Sequence, residues 1–72
     1  MSIEVEAQIT GKVWKIETKV GAEVEEDDVL LIVESMKMEI PVEAPEDGRV
    51  LEIRVAEGQA IEEGDILVVL EG

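Results

Sequence analysis

Residues 48–72 lie over residues 11–35 without a gap at an offset of 37, GRVLEIRVAEGQAIEEGDILVVLEG against GKVWKIETKVGAEVEEDDVLLIVES. Nine positions are identical: Gly11/Gly48, Val13/Val50, Ile16/Ile53, Gly21/Gly58, Glu25/Glu62, Glu26/Glu63, Asp28/Asp65, Leu30/Leu67 and Glu34/Glu71. Most of the others keep their type, as Val24/Ile61 and Val29/Ile66 do. Two copies fall short of the three or more that a stacked repeat protein needs. The repeat therefore predicts a single domain over 1–72, closed by two similar halves, 11–35 and 48–72, about a rough two-fold axis.

Each half reads as β-structure. Trp14 and Ile16, and in the second copy Leu51 and Ile53, alternate with charged residues in the period of two expected of a strand with one buried face. Gly21, Gly58 and the acidic clusters EEDD and EEGD mark turns. Asp27 stands where the second copy has Gly64, and Asp enters the left-handed region at lower cost than most residues. Segments 28–34 and 65–71 are apolar at nearly every position, as short strands buried in a sandwich are. Ile3-Glu4-Val5-Glu6-Ala7 alternates cleanly and supplies a further strand. No segment sustains a helical period, and Pro41 and Pro45 would break one. The expected fold is all-β: a flattened sandwich or barrel of two four-stranded antiparallel sheets with pseudo-two-fold symmetry.

A chain of 72 residues buries only about 60% of its unfolded surface. With no Cys there is neither a disulfide nor a thiolate zinc site, there is no His, and the core must be built from the 24 Val, Ile and Leu residues. The absence of Cys fits a reducing compartment. A net charge of −13, from 19 acidic and six basic residues, opposes binding to nucleic acid and to anionic membranes. No apolar run approaches a membrane span, and MSIEVEAQ lacks the features of a signal peptide. Cytoplasmic residence is the expectation.

Between the halves stands VESMKMEI, Val33 to Ile40, where a strand runs in, the chain reverses at Met36-Lys37 and a strand runs out. Tight hairpins favour Asn-Gly or Asp-Gly because both central residues need positive φ. Two large residues there cost about 1–2 kcal/mol each, and a fold that keeps such strain invites a functional explanation. A plain surface lysine between two gap-filling methionines is the simplest alternative. A catalytic lysine is disfavoured: a Schiff-base or general-base amine wants a desolvated or positively charged setting, but Glu34 and Glu39 flank this one and a turn tip is wet. No His or Cys offers a nucleophile, and no Gly-rich loop opens a helix. A third reading is an attachment point, a long unhindered amine on a rigid body that another enzyme acylates. Lys12, Lys15, Lys19, Arg49 and Arg54 lie along or just beyond strands and read as surface charges.

ESMKMEIPVEAPEDGRV closely resembles the modification segment of biotin carboxyl carrier domains, within the biotin/lipoyl attachment family. The hallmark there is a Met-Lys-Met hairpin commonly preceded by Ala, whose place Ser35 takes. The resemblance extends over the whole chain, through Gly11, the Gly21 turn and the closing EGQAIEEGDILVVLE. It implies a flattened eight-stranded sandwich and covalent biotin on Lys37. Met36 and Met38 would serve handling by biotin protein ligase and the carboxylase partners, and Glu34, Ser35 and Glu39 would lie in the recognition surface. It further implies a non-catalytic carrier that moves a carboxyl group between biotin carboxylase and carboxyltransferase. Lipoyl domains share the fold but usually carry Asp-Lys-Ala, so lipoate is the alternative cofactor. An unmodified lipoyl-like interaction domain is the other alternative. The gapless repeat leaves no room for the thumb that some carrier domains insert.

Overall fold

The computed structural model describes all 72 residues and contains eight strands and no helix. They are β1 (Ser2–Glu6), β2 (Gly11–Ile16), β3 (Glu23–Val24), β4 (Val29–Ser35), β5 (Met38–Glu43), β6 (Gly48–Ile53), β7 (Ala60–Ile61) and β8 (Ile66–Glu71). Two antiparallel four-stranded sheets result, ordered β1-β8-β6-β3 and β5-β4-β2-β7. The offset of 37 carries each strand of one sheet onto a strand of the other, so the sheets are related by the two-fold pattern expected from the repeat.

That correspondence reaches further than the two 25-residue copies. β1 maps onto β5, and Ile3/Ile40, Val5/Val42, Glu6/Glu43 and Ala7/Ala44 are identical at the same offset. Each half lends its first strand to the sheet of the other half's elements: β1 pairs with β8, and β5 with β4. Pro41 fits within β5 because that strand is an edge, where a missing N–H costs no ladder bond if it faces outward.

The core lies between the sheets and is aliphatic. Leu30, Leu31, Leu67, Val68, Leu70 and Val13 are fully buried, and no polar side chain is buried with them. Burial at about 25 cal/mol per Å² of apolar surface is the main favourable contribution in so small a fold.

One expectation fails. Trp14 and Leu51 were the predicted inward residues of their strands, yet they are 48% and 42% exposed. A β-bulge explains both: the register of β2 on β4 slips between Val13 and Lys15, and that of β6 on β8 between Val50 and Glu52. The extra residue opposes the same partner as its neighbour, so Trp14 and Lys15 both face out while Val13 and Ile16 both face in. The strict alternation of the sequence is broken at the same point in both halves.

Candidate functional site

The β4–β5 hairpin is the one tight turn built from large side chains. Ser35 pairs with Met38 across its base. Between them Met36 has φ 51° and Lys37 φ 66°, the double left-handed conformation of a primed two-residue turn. Everywhere else a positive φ falls on Gly21, Gly58, Gly64 or the small acidic Asp27.

The turn throws its side chains outward. Met36 is 90% exposed, Met38 59%, and Lys37 is exposed between them. No carboxylate lies within 4 Å of the Lys37 amine, since the ion pairs of the molecule are Lys15–Glu17, Arg49–Glu23 and Arg54–Glu52. Glu34 and Glu39 sit directly opposite each other one step down the hairpin, a like-charge pairing that disfavours the strand contact. Lys12 pairs with Glu34 on its other side, so Glu39, Glu34 and Lys12 form one row across the outer face of the sheet.

The base of the hairpin is braced from β2. The Ser35 hydroxyl donates to the Thr10 carbonyl at 2.9 Å. A Cβ on Gly11 would meet the Glu34 carbonyl oxygen at 2.5 Å and Val33 Cγ1 at 2.9 Å, so only glycine admits this approach. Thr10 also accepts from the Glu63 N–H at 3.4 Å. The start of β8 therefore lies at the hairpin end, and β8 runs away from it. The sequence signal for this brace is Gly11 itself, repeated as Gly48, which packs equally closely on the Glu71 carbonyl oxygen.

The structure thus brings Glu34, Ser35, Met36, Lys37, Met38 and Glu39 together at one exposed end of a body whose extents are 32 × 17 × 17 Å. A primary amine on a flexible four-carbon stem, with no ion-pair partner, is open to a visiting enzyme. Away from the hairpin, the Arg54 guanidinium is held above its ordinary value by its hydrogen bond to Glu52 and by the attraction of that charge. No three carboxylates converge to hold a metal ion, and no helix is long and apolar enough to cross a membrane.

The biotin/lipoyl family model, described as a biotin-requiring enzyme, matches residues 4–70. The chain belongs to the biotin/lipoyl attachment family. Among curated relatives of this family, the biotin/lipoyl attachment protein of Bacillus subtilis is 44% identical over 36 residues, half of this chain and 49% of that protein. A putative urea carboxylase of Emericella nidulans is also 44% identical over 36 residues, half of this chain and 3% of that protein. The chain therefore spans about half of one of these relatives and a small part of the other. Among solved structures, the urea carboxylase of Kluyveromyces lactis superposes with a TM-score of 0.94 at 34% identity, over 99% of this chain and 6% of that one. A single-chain, multi-domain long-chain acyl-CoA carboxylase superposes with a TM-score of 0.91 at 30% identity, over 96% and 7%. The attachment-domain fold is thus shared with small portions of large carboxylases.

Proposed function

We propose that this attachment domain is a biotin carboxyl carrier and that Lys37 is the residue acylated. The observation that carries the reading is the Met36–Lys37 turn: two large residues held at positive φ on the tip of a stiff hairpin, where glycine would be less strained. Its residues suit the group. The amine is exposed and has no ion-pair partner.

The Lys37 amine forms the amide, while a biotin protein ligase provides the base and the activated acyl group. Biotin, once bound, supplies a nitrogen able to hold a carboxyl group for transfer. The chain's own contribution is mechanical. Met36 and Met38 present an adaptable apolar collar to enzymes that receive the tip. The two sheets keep the attachment point fixed, so tethering raises the effective concentration of the carried group at biotin carboxylase and carboxyltransferase. In this reading the chain is a non-catalytic carrier, and the chemistry belongs to the enzymes that receive it. The cytoplasm, where such a ligase and its ATP are at hand, is the compartment we assign to it.

The name of the Bacillus relative covers lipoate as well, so a lipoyl carrier is the second reading; methionine on both sides of the lysine favours biotin. Intact-mass measurement after co-expression with each ligase tests both. A biotinyl increment that disappears in Lys37→Arg is the expected result. A lipoyl increment selects the second reading. No increment with either ligase overturns the carrier role and leaves an interaction domain.

A further inference from the structure

The two-fold repeat lets one half serve as a control for the other. On the outer face of the hairpin-bearing sheet, Trp14, Ile32 and Pro41 form a row two residues below the Glu39–Glu34–Lys12 row: Pro41 pairs with Ile32, and Ile32 opposes the bulge at Trp14 and Lys15. At the equivalent places on the other sheet stand Leu51, Val69 and Glu4. Backbone and bulge are the same in both. Only the hairpin side carries the chain's single aromatic residue, exposed, together with a proline where its counterpart has a carboxylate.

The charges do not separate the two faces: Lys12 and Lys15 stand with Glu17, Glu34 and Glu39 around the Trp14 row, and Arg49 and Arg54 with Glu4, Glu52 and Glu71 around the Leu51 row. What distinguishes the hairpin side is the exposed apolar area that Trp14, Ile32 and Pro41 make there. It begins at the hairpin and extends along β5 by three residues, about 10 Å at the rise of a strand. A standard interface covers about 800 Å² per partner, so a protein seated on the tip reaches the Trp14 row.

We infer that Trp14, with Ile32 and Pro41, is the secondary docking surface for the ligase that acylates Lys37. This rests on the carrier reading above. The choice of the ligase over the later enzymes follows from reach. Before acylation the amine has only its own four-carbon stem, so the ligase must close on the protein surface beside the hairpin. Afterwards the longer arm can enter an active site with the body held farther away. The matching surface on the ligase is an apolar recess for the indole, beside a basic group that meets Glu34 and Glu39. An exposed, rigid aromatic next to a polar row is the composition favoured at interface centres.

The test exploits the repeat and the single tryptophan. Trp14→Leu installs the residue the other half already tolerates in the same bulge, and Leu51→Trp is the mirror control. With a biotin protein ligase, biotin and ATP, we expect Trp14→Leu to raise the KM for this protein about tenfold with kcat within twofold. Leu51→Trp should change neither, and Trp14→Leu with Pro41→Glu should raise KM further. On the unaltered protein, Trp14 emission should shift to shorter wavelength and become shielded from iodide when a tryptophan-free ligase is added. Unchanged kinetics in Trp14→Leu, or unchanged emission at saturating ligase, overturns the inference while acylation of Lys37 still stands. A shift that depends on the concentration of this protein alone points to a second copy on this face and overturns it as well. A shift with biotin carboxylase and none with ligase does the same. If Lys37 is not acylated at all, the carrier reading fails first, and the mass measurement reports that separately.

Discussion

The hairpin turn at Met36–Lys37 and the acidic turns at 25–28 and 62–65 solve the same backbone problem in opposite ways. In each acidic turn the side chain of the last residue closes back on the first: the Glu25 N–H donates to Asp28 Oδ2 at 2.9 Å, and the Glu62 N–H to Asp65 Oδ2 at 2.8 Å. The left-handed residue inside is Asp27 in one and Gly64 in the other. These turns are closed by their own side chains, the local polar closure that Asp contributes to turns, and are tied to the body besides: the Asp27 N–H donates to the Ala44 carbonyl at 2.8 Å and the Gly64 N–H to the Ala7 carbonyl at 2.9 Å. The hairpin turn has no such lock. Its two left-handed residues are among the bulkiest in the chain, their side chains point into solvent, and its stability is imported from Gly11, Thr10 and Ser35 below. A segment whose own chemistry favours it adds a side-chain lock to its ties with the body; one kept for its side chains relies on the ties alone.

Six substitutions, in four groups, test this contrast, and the groups fall in order of size. Gly11→Ala strikes the imported brace: with a carbonyl oxygen 2.5 Å from the new methyl, β2 and β4 must separate, and stability should fall by about 3 kcal/mol. Gly48→Ala, with the Glu71 oxygen at 2.6 Å, should cost a similar amount, both read from urea unfolding. If Gly11→Ala is tolerated, the hairpin does not depend on its base.

Removal of the lock from an acidic turn comes next. Asp28→Ala and Asp65→Ala each lose a charge-assisted bond to a backbone N–H and should each destabilise by about 1.5 kcal/mol. Equal losses would confirm that the two copies are energetically as well as geometrically alike.

The hairpin turn should respond in the other direction. Met36→Gly relieves a left-handed methionine and should raise stability by about 1 kcal/mol, while slowing acylation of the neighbouring lysine. A loss of stability would show that Met36 makes contacts its 90% exposure does not suggest. The smallest effect belongs to Glu39→Lys, which replaces a like-charge cross-strand pair by an opposite one and should add about 0.5 kcal/mol, an increment that salt should diminish.

Much of this architecture is legible in the residues. Glycine and aspartate at matching offsets disclose the turns, because few residues accept positive φ. The apolar runs of β4 and β8 disclose the buried strands. The hairpin was detectable through its misfit, since Met-Lys is a poor choice for a tight reversal. The bulges were not detectable: a bulge of this kind needs no glycine, and Trp14-Lys15 looks like ordinary alternation until the opposing strand is known. The strand leaving the hairpin was legible, and its match to β1 was present in Ile3/Ile40 through Ala7/Ala44, but Pro41 against Glu4 interrupts the likeness between the two. Burial of Trp14 was the natural expectation for a lone aromatic, and only tertiary register could reverse it.

At the end remote from Lys37, the Gly72 N–H donates to the Met1 carbonyl at 3.0 Å, the position that the two-fold gives as counterpart of the Ser35–Met38 pair. Polypeptide extending from either terminus would leave through one corner, so the body could turn about that corner as a single stalk. A module suspended in this way is a boom some 32 Å in length, and its own rotation would add to whatever radius the lysine's cargo sweeps.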